Sequence, residues 1–164
     1  MIICRTMGLD PVKKEFLQAM RGITSTVTVV SAKYGNNKQA MTATSVASLS
    51  LDPPSMLVCI NHEANIHEVI KEGLGFCINI LSLDQENLAD ICSIEGKEEQ
   101  RFLEKNWSEL DNIPYNSDCQ SNLFCNCVQA IQHSTHTIFV GEVTKIINKN
   151  TFVPLLYKDG NYSD

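Results

Sequence analysis

Five runs of this chain have strand composition, and the helical stretches between them are too short to serve as crossovers. The runs are Thr24–Tyr34 (TSTVTVVSAKY), Ser55–Asn61 (SMLVCIN), Phe76–Leu81 (FCINIL), Asn122–Gln132 and His136–Ile147. They are rich in Val, Ile, Thr and Phe, whose branched or aromatic side chains suit a pleated surface. The last run alternates as a half-buried strand does. A parallel sheet needs a crossover of a dozen or more residues between neighbouring strands. Without such helices, the pattern favours a mainly antiparallel β-barrel with peripheral short α-helices over a doubly wound α/β fold.

Local signals punctuate these runs. Asp10-Pro11 can cap and open a helix, Val12, Phe16, Leu17 and Met20 follow at helical spacing, and Gly22 closes it. Gly35-Asn36-Asn37 supplies a turn, with the chain resuming as a strand at Gln39. A short helix is expected over Asn65–Lys71, ending near Gly73. Ser82 with Gln85 matches a capping box and starts a helix running to about Ser93. Lys97–Leu103 reads as a second short helical piece, and Asn106–Gln120 as a long polar surface loop.

With 164 residues and no linker or repeat, the expected organisation is one domain over 1–164, too short for two full nucleotide-binding domains side by side. The 19 acidic residues outnumber the 13 basic ones, giving a formal charge of -6. No three basic residues are consecutive, which argues against binding nucleic acid or an anionic membrane. No apolar stretch approaches the ~20 residues of a membrane span. Seven cysteines, an odd number, and the absence of a leader-like stretch over Met1–Met7 point to a reducing cytoplasm. Cys119, Cys125 and Cys127 follow a C-x5-C-x-C spacing that matches no common zinc or iron–sulfur framework, so no metal site is expected. His62 and His67 read as surface residues.

Neither GxGxxG nor GxxxxGK[ST] occurs, so a phosphorylated ligand would have to be held in another way. Met41–Pro54 (MTATSVASLSLDPP) interleaves hydroxyls with small side chains. Such a segment can be an ordinary strand with polar residues facing solvent. It can also let a flat ligand approach the backbone, with hydroxyls and N–H groups meeting its oxygens.

The motifs STVTVVS (25–31), AMTATSVASLSLDPPSM (40–56), INIL (78–81), Gln85 with Leu88-Ala89, Arg101-Phe102, STHTIFVGEV (134–143) and PLLYKDGNY (154–162) stand in one order. In that order they resemble the flavin reductase-like, FMN-binding split-barrel family. The resemblance implies a six-stranded Greek-key split barrel, a homodimer, and NADH- or NADPH-dependent reduction of FMN, with FAD as the alternative flavin. Reduced flavin or electrons would pass to a monooxygenase or other acceptor protein. By position, Thr42, Thr44, Ser45, Val46 and Ser48 would contact flavin, with Asn79, Lys97, Arg101 and Phe102 as further candidates for the ring or phosphate. His136 would be the catalytic residue, aligning the dinucleotide by hydrogen bonding while the cofactors carry the hydride chemistry. Two departures stand out: Ser134-Thr135 replaces the family's Gly-Asp, and Thr44-Ser45-Val46 replaces Asn-Ser-Phe. Two other readings stay open: a flavoredoxin-like FMN electron carrier reduced by another protein, and a split-barrel binding module without flavin.

Overall fold

Burial decides the register of these strands, because a slip of one residue would exchange the core face for the solvent face. The structure, a computed structural model, describes residues 10–103 and 105–163, with the backbone alone at 72 and 73. Cys4 and the Met1–Met7 stretch lie outside the described residues.

Helix α1 (Pro11–Met20) starts as the sequence predicts: the Asp10 carboxylate accepts from the Val12 N–H at 2.8 Å, and Pro11 occupies the first turn. None of its residues is buried. The expected 24–34 strand divides into β1 (Ser25–Thr26) and β2 (Thr28–Tyr34). At Val27 the chain leaves one sheet for another. Its N–H donates to Leu155 O and its carbonyl accepts from the Leu81 N–H. The hairpin turn is Gly35-Asn36 alone, so β3 (Asn37–Ala43) begins two residues earlier than expected. Gly35 takes φ +58°, which a two-residue hairpin requires.

Then come β4 (Val46–Leu51), β5 (Pro54–Asn61), α2 (Ile66–Gly73) and β6 (Gly75–Ile80). Helix α3 (Glu86–Ser93) ends where predicted. It starts at Glu86 rather than at Ser82, with Gln85 as an N-cap that makes no side-chain cap bond; the Gln85 side chain instead accepts from the Ser82 N–H at 2.9 Å across the turn before the helix. Helix α4 (Glu98–Arg101) forms within the predicted 97–103 piece. The expected loop 106–120 instead contains a hairpin, β7 (Trp107–Leu110) and β8 (Ile113–Asn116). Its turn, Asp111-Asn112, has φ +51° and +64°, the two left-handed residues of a type I′ turn. The long hairpin β9 (Ser121–His133) and β10 (His136–Asn148) follows, then β11 (Leu156–Lys158) and β12 (Asn161–Ser163).

The main sheet has seven strands in the order β3-β2-β6-β9-β10-β5-β4, with a second sheet β1-β11-β12 and the β7-β8 pair. This corrects the six-stranded expectation, and among the described residues no ladder closes the sheet. The two edge strands, β3 and β4, are joined by Thr44 and Ser45 alone. A three-bond step spans at most ~11 Å, so the sheet must curl until its edges meet at that corner. The concave side encloses a core of Val30, Val58, Ile60, Phe76, Ile78 and Phe139, plugged by Ile66, Val69 and Ile70 of α2. A second core lies outside β2 and β3, where Val27, Val29, Leu81, Leu88, Ala89 and Leu155 meet. Strand β2 is therefore buried on both faces.

Candidate functional site

The hydroxyl-rich segment turns the corner between the two sheet edges, and its side chains divide between two surfaces. Thr42 is half-buried and donates its hydroxyl to Ala89 O at 2.6 Å. Thr44 is exposed. With Thr42, Val27, Ser93, Tyr157 and Tyr162 it lines a cleft of about 70 Å³. The Tyr162 hydroxyl donates to Asp90 Oδ1 at 2.9 Å, and burial together with that carboxylate raises its pKa.

Ser45 turns to the other side. Its hydroxyl donates to Cys59 O at 2.9 Å, while its own carbonyl accepts from the Cys59 N–H at 3.0 Å. Val46 packs on the first core, and Ser48 is exposed opposite Met56.

Directly opposed residues of antiparallel strands share a face, and faces alternate along each strand. On β10, Thr137, Phe139 and Gly141 point inward, leaving His136, Ile138 and Val140 outside. Register then sets Asn61 beside His136, Cys59 beside Ile138 and Leu57 beside Val140. These outer residues are half-buried, apart from exposed His136. They form an apolar platform with Ser45 at one edge and His136 at the end of another strand. With ~4.8 Å per strand and ~3.4 Å per residue, Ser45 and His136 lie about 12 Å apart.

His136 follows the two-residue turn Ser134-Thr135, in which Ser134 takes φ +52°, so this turn forms without glycine. Thr135 Oγ1 lies 2.9 Å from His136 Nδ1.

Behind His136 is a polar cluster that the sequence reading missed. His67 is only 4% exposed, which corrects its assignment to the surface. Its Nε2 lies 2.8 Å from Thr137 Oγ1, and His62 Nε2 lies 3.0 Å from the same oxygen. His67 Nδ1 lies 3.0 Å from Glu68 Oε1, and this bond holds the Glu68 carboxyl below its usual range. The available signal was helical: His67 falls beside the apolar stripe Ile66, Val69 and Ile70.

The remaining candidates lie elsewhere. Asn79 is fully buried. Its amide donates to Val29 O at 2.7 Å and Ser31 Oγ at 2.9 Å, and its oxygen accepts from Asn116 N and Asn122 Nδ2, both at 2.9 Å. Arg101 is buried and donates to Ala40 O at 2.8 Å and Ile94 O at 2.7 Å, with Glu98 at 3.6 Å. Phe102 packs against Trp107 with centroids 4.8 Å apart, under Lys38 Nζ at 4.9 Å. Lys97 is half-buried at the start of α4. Asn79 therefore spends its polar atoms on other parts of the fold, as do the two terminal nitrogens of Arg101, while Arg101 Nε is buried without a hydrogen-bond partner among the described residues.

The cysteines do not converge. Cys125 lies in the first core and Cys119 in the second, and burial pushes both thiols up to about 12. Burial also raises the Cys77 thiol well above its ordinary value and raises that of half-buried Cys127. Such thiols stay protonated and pack as small hydrophobes. Among the described residues, no group of three or more His, Cys, Asp or Glu could hold a metal ion, and no helix is long and apolar enough to cross a membrane.

Comparison with known proteins places this arrangement. Residues 20–164 match the family described as flavin reductase like domain. The reductase component of FADH(2)-dependent resorcinol hydroxylase from Rhizobium sp. (strain MTP-10005) is 35% identical over 156 residues, 93% of this chain and 87% of that protein. The FMN reductase (NADH) RutF of Yersinia enterocolitica is 28% identical over 159 residues, 96% of this chain and 86% of its own. Among solved structures, the NADH:FAD oxidoreductase SgcE6 of Streptomyces globisporus, in complex with NAD and FAD fragments, superposes with a TM-score of 0.87 at 25% identity, covering 95% of this chain and 94% of that one. The curled seven-stranded sheet, its hydroxyl-rich corner and the STHTIFVGEV strand are thus those of a member of the flavin reductase-like family, to which this chain belongs.

Proposed function

We propose that this chain is an NAD(P)H-dependent flavin reductase that takes FMN or FAD and releases the reduced flavin to a monooxygenase component. The observation that carries the reading is the apolar platform between Ser45 and His136, an open sheet face in a chain of this family. The relatives named above, a monooxygenase reductase component and an NADH-dependent FMN reductase, support both the reaction and its acceptor.

The residues present fit a flavin. Leu57, Cys59, Ile138 and Val140 offer a flat apolar floor to a ring system. Ser45 offers a neutral hydroxyl at the edge of that floor, while Thr44 and Ser48 face away from it, and a neutral rim suits a chain of net charge -6. When bound, flavin supplies the two-electron chemistry by accepting hydride from a reduced nicotinamide. The chain's part is to stack and align the two rings and to keep water out. His136, exposed at the end of the platform, is proposed to orient the nicotinamide half through its imidazole.

One chain leaves this site incomplete. The platform is an open sheet face, which by itself encloses nothing like the roughly 300–1,000 Å³ of a common ligand pocket. We therefore propose a homodimer whose second copy covers the platform. Edge strand β4 exposes Leu49 (53%) and Leu51 (88%), an edge of the kind that folded proteins normally cover. The proposed setting is a reducing, cytoplasmic one.

Steady-state oxidation of NADH and of NADPH, each with saturating FMN or FAD, tests the reading. Turnover with at least one pair is expected, and turnover with none refutes it. His136→Ala should raise the Michaelis constant for nicotinamide and leave flavin affinity nearly unchanged. Collapse of flavin binding instead would make His136 a flavin contact.

A further inference from the structure

His136 is exposed, yet the chain on either side of it is fastened to one residue. The His62 N–H donates to Thr135 O at 2.9 Å, before His136, and His62 Nε2 meets Thr137 Oγ1 at 3.0 Å, after it. The Thr137 hydroxyl is 1% exposed and is shared with His67, whose ring packs edge-on against Phe139 (centroids 5.2 Å) and His62 (5.0 Å).

The chemistry of the four groups allows one arrangement of protons while both rings are neutral. The Glu68 carboxylate only accepts, so His67 Nδ1 carries its hydrogen and donates it there. Nε2 of a neutral His67 is then an acceptor and takes the Thr137 hydroxyl proton. The Thr137 oxygen in turn accepts from His62 Nε2–H. The bonds run in one direction, His62 to Thr137 to His67 to Glu68, and each nitrogen has a single role. A hydrophobic packing residue in place of His67 would take from the buried hydroxyl the acceptor this arrangement gives it and force His62 into its other tautomer.

We infer that His62 and His67, acting through Thr137, are positioning residues for His136: they fix the backbone from which its imidazole meets the dinucleotide, without touching a substrate themselves. Thr137 and His136 are adjacent and point to opposite faces, so tension on the inner side chain sets the rotation of the outer one. This inference rests on the proposed reductase reading.

The test is a set of variants assayed for the Michaelis constant of NADH or NADPH and, separately, for flavin affinity by fluorescence titration. Thr137→Val removes the hydroxyl at constant shape. It should raise the nicotinamide constant about fivefold, the effect of one hydrogen bond of about 1 kcal/mol, with flavin affinity held within twofold. Thr137→Ser should restore the wild-type value. Combined with His136→Ala, Thr137→Val should add nothing, because the residue through which it acts is gone. His62→Ala, at an exposed position where folding survives, should raise the constant in the same direction, again only when His136 is present. A nicotinamide constant within twofold of wild type in both Thr137→Val and His62→Ala overturns the inference, as does an equal multiplying effect with and without His136. Absence of turnover in the wild-type chain would instead refute the reductase reading, so the two failures are distinguishable.

Discussion

Gly141 is the one position on β10 where a single methyl group should be felt throughout the first core. A Cβ built there would lie 2.5 Å from Phe76 Cζ, 2.9 Å from Phe76 Cε1 and 2.7 Å from Cys125 Cβ. Carbon atoms in contact prefer ~3.5–4.0 Å, so each neighbour would have to retreat by about 1 Å. Neither can do so cheaply. Cys125 Cβ is fixed to the backbone of β9, and Phe76 is fully buried on β6, which is paired on both sides. Overpacking of a filled core costs about 1–3 kcal/mol, and two anchored neighbours put Gly141→Ala near the upper end, about 3 kcal/mol. For a chain of this size that lowers Tm by roughly 6–12 °C. Urea denaturation of Gly141→Ala, Phe76→Leu and the double variant measures it. Phe76→Leu should be less damaging in the Gly141→Ala background than alone, by at least about 1 kcal/mol, because the shortened side chain vacates the space the methyl needs. A Gly141→Ala loss below about 0.5 kcal/mol, or strict additivity with Phe76→Leu, would refute this account of the core.

Three further outcomes are expected. Among the described cysteines, Cys59 and Cys127 should be alkylated by iodoacetamide in the native protein far faster than Cys77, Cys119 and Cys125. Saturating flavin should slow labelling of Cys59 on the platform; peptide mapping by mass spectrometry reads both, and unchanged Cys59 labelling would count against the platform as the flavin floor. Stability should fall in alkali, because the Cys119 and Cys125 thiols ionise near 9.0 when unfolded but only at about 12 in the fold. That contribution is intact below pH 9 and lost as the pH climbs toward 12, on the order of 1 kcal/mol per thiol at pH 10. Cys125→Ala should flatten the measured slope by one proton, and an unchanged slope would refute the assignment. Asn79→Leu strands the Asn116 N–H and one hydrogen of the Asn122 amide, which both donate to Asn79 Oδ1, and leaves the Asn122 amide only its bond to Asn116 O. It should cost at least about 3 kcal/mol and release the β7–β8 hairpin, seen as lost hydrogen-exchange protection at Asn116.

Features written in local chemistry were readable from the sequence. The Asp10 cap, the end of α3 at Ser93 and the two late strands, β9 and β10, all depend on residues within a few positions of one another. Features that depend on distant partners were not. Val27 breaks a strand-like run because Leu155 and Leu81, far along the chain, claim its backbone. His67 is polar by type and buried by pairing with Thr137, 70 residues away. The β7–β8 hairpin was missed for another reason: Asp111-Asn112 is a legitimate two-residue turn hidden in a polar stretch, and Ser31 anchors it by donating to Pro114 O at 2.5 Å. The hydroxyl-rich corner was legible as unusual. That it divides Thr44 from Ser45, sending one toward α3 and the other toward β5, follows only from the curl of the sheet.

That curl also explains an inconsistency in the strand pattern. A half-buried strand is apolar inward and polar outward. Strand β10 obeys this inward with Phe139 and Gly141, yet its outer positions include Ile138 and Val140. Register sets them against Cys59 and Leu57 of β5 and against Ile131 and Gln129 of β9. The polar residues that should lie among them sit instead at the rim: His136, Asn61 and His133 at one end, Ser45 at the edge. An outer face apolar at its centre and polar at its margin is what a covered surface requires, since contiguous exposed apolar area is rare in proteins that act alone. On the proposed reading a flat ring system and a second copy of the chain would share the covering of this face, the ring lying against the platform beside Ser45 and the partner extending over it from Leu49 and Leu51. The local violation of polar-out patterning is therefore the physical trace of the site, and it needs no residue of unusual charge to create it.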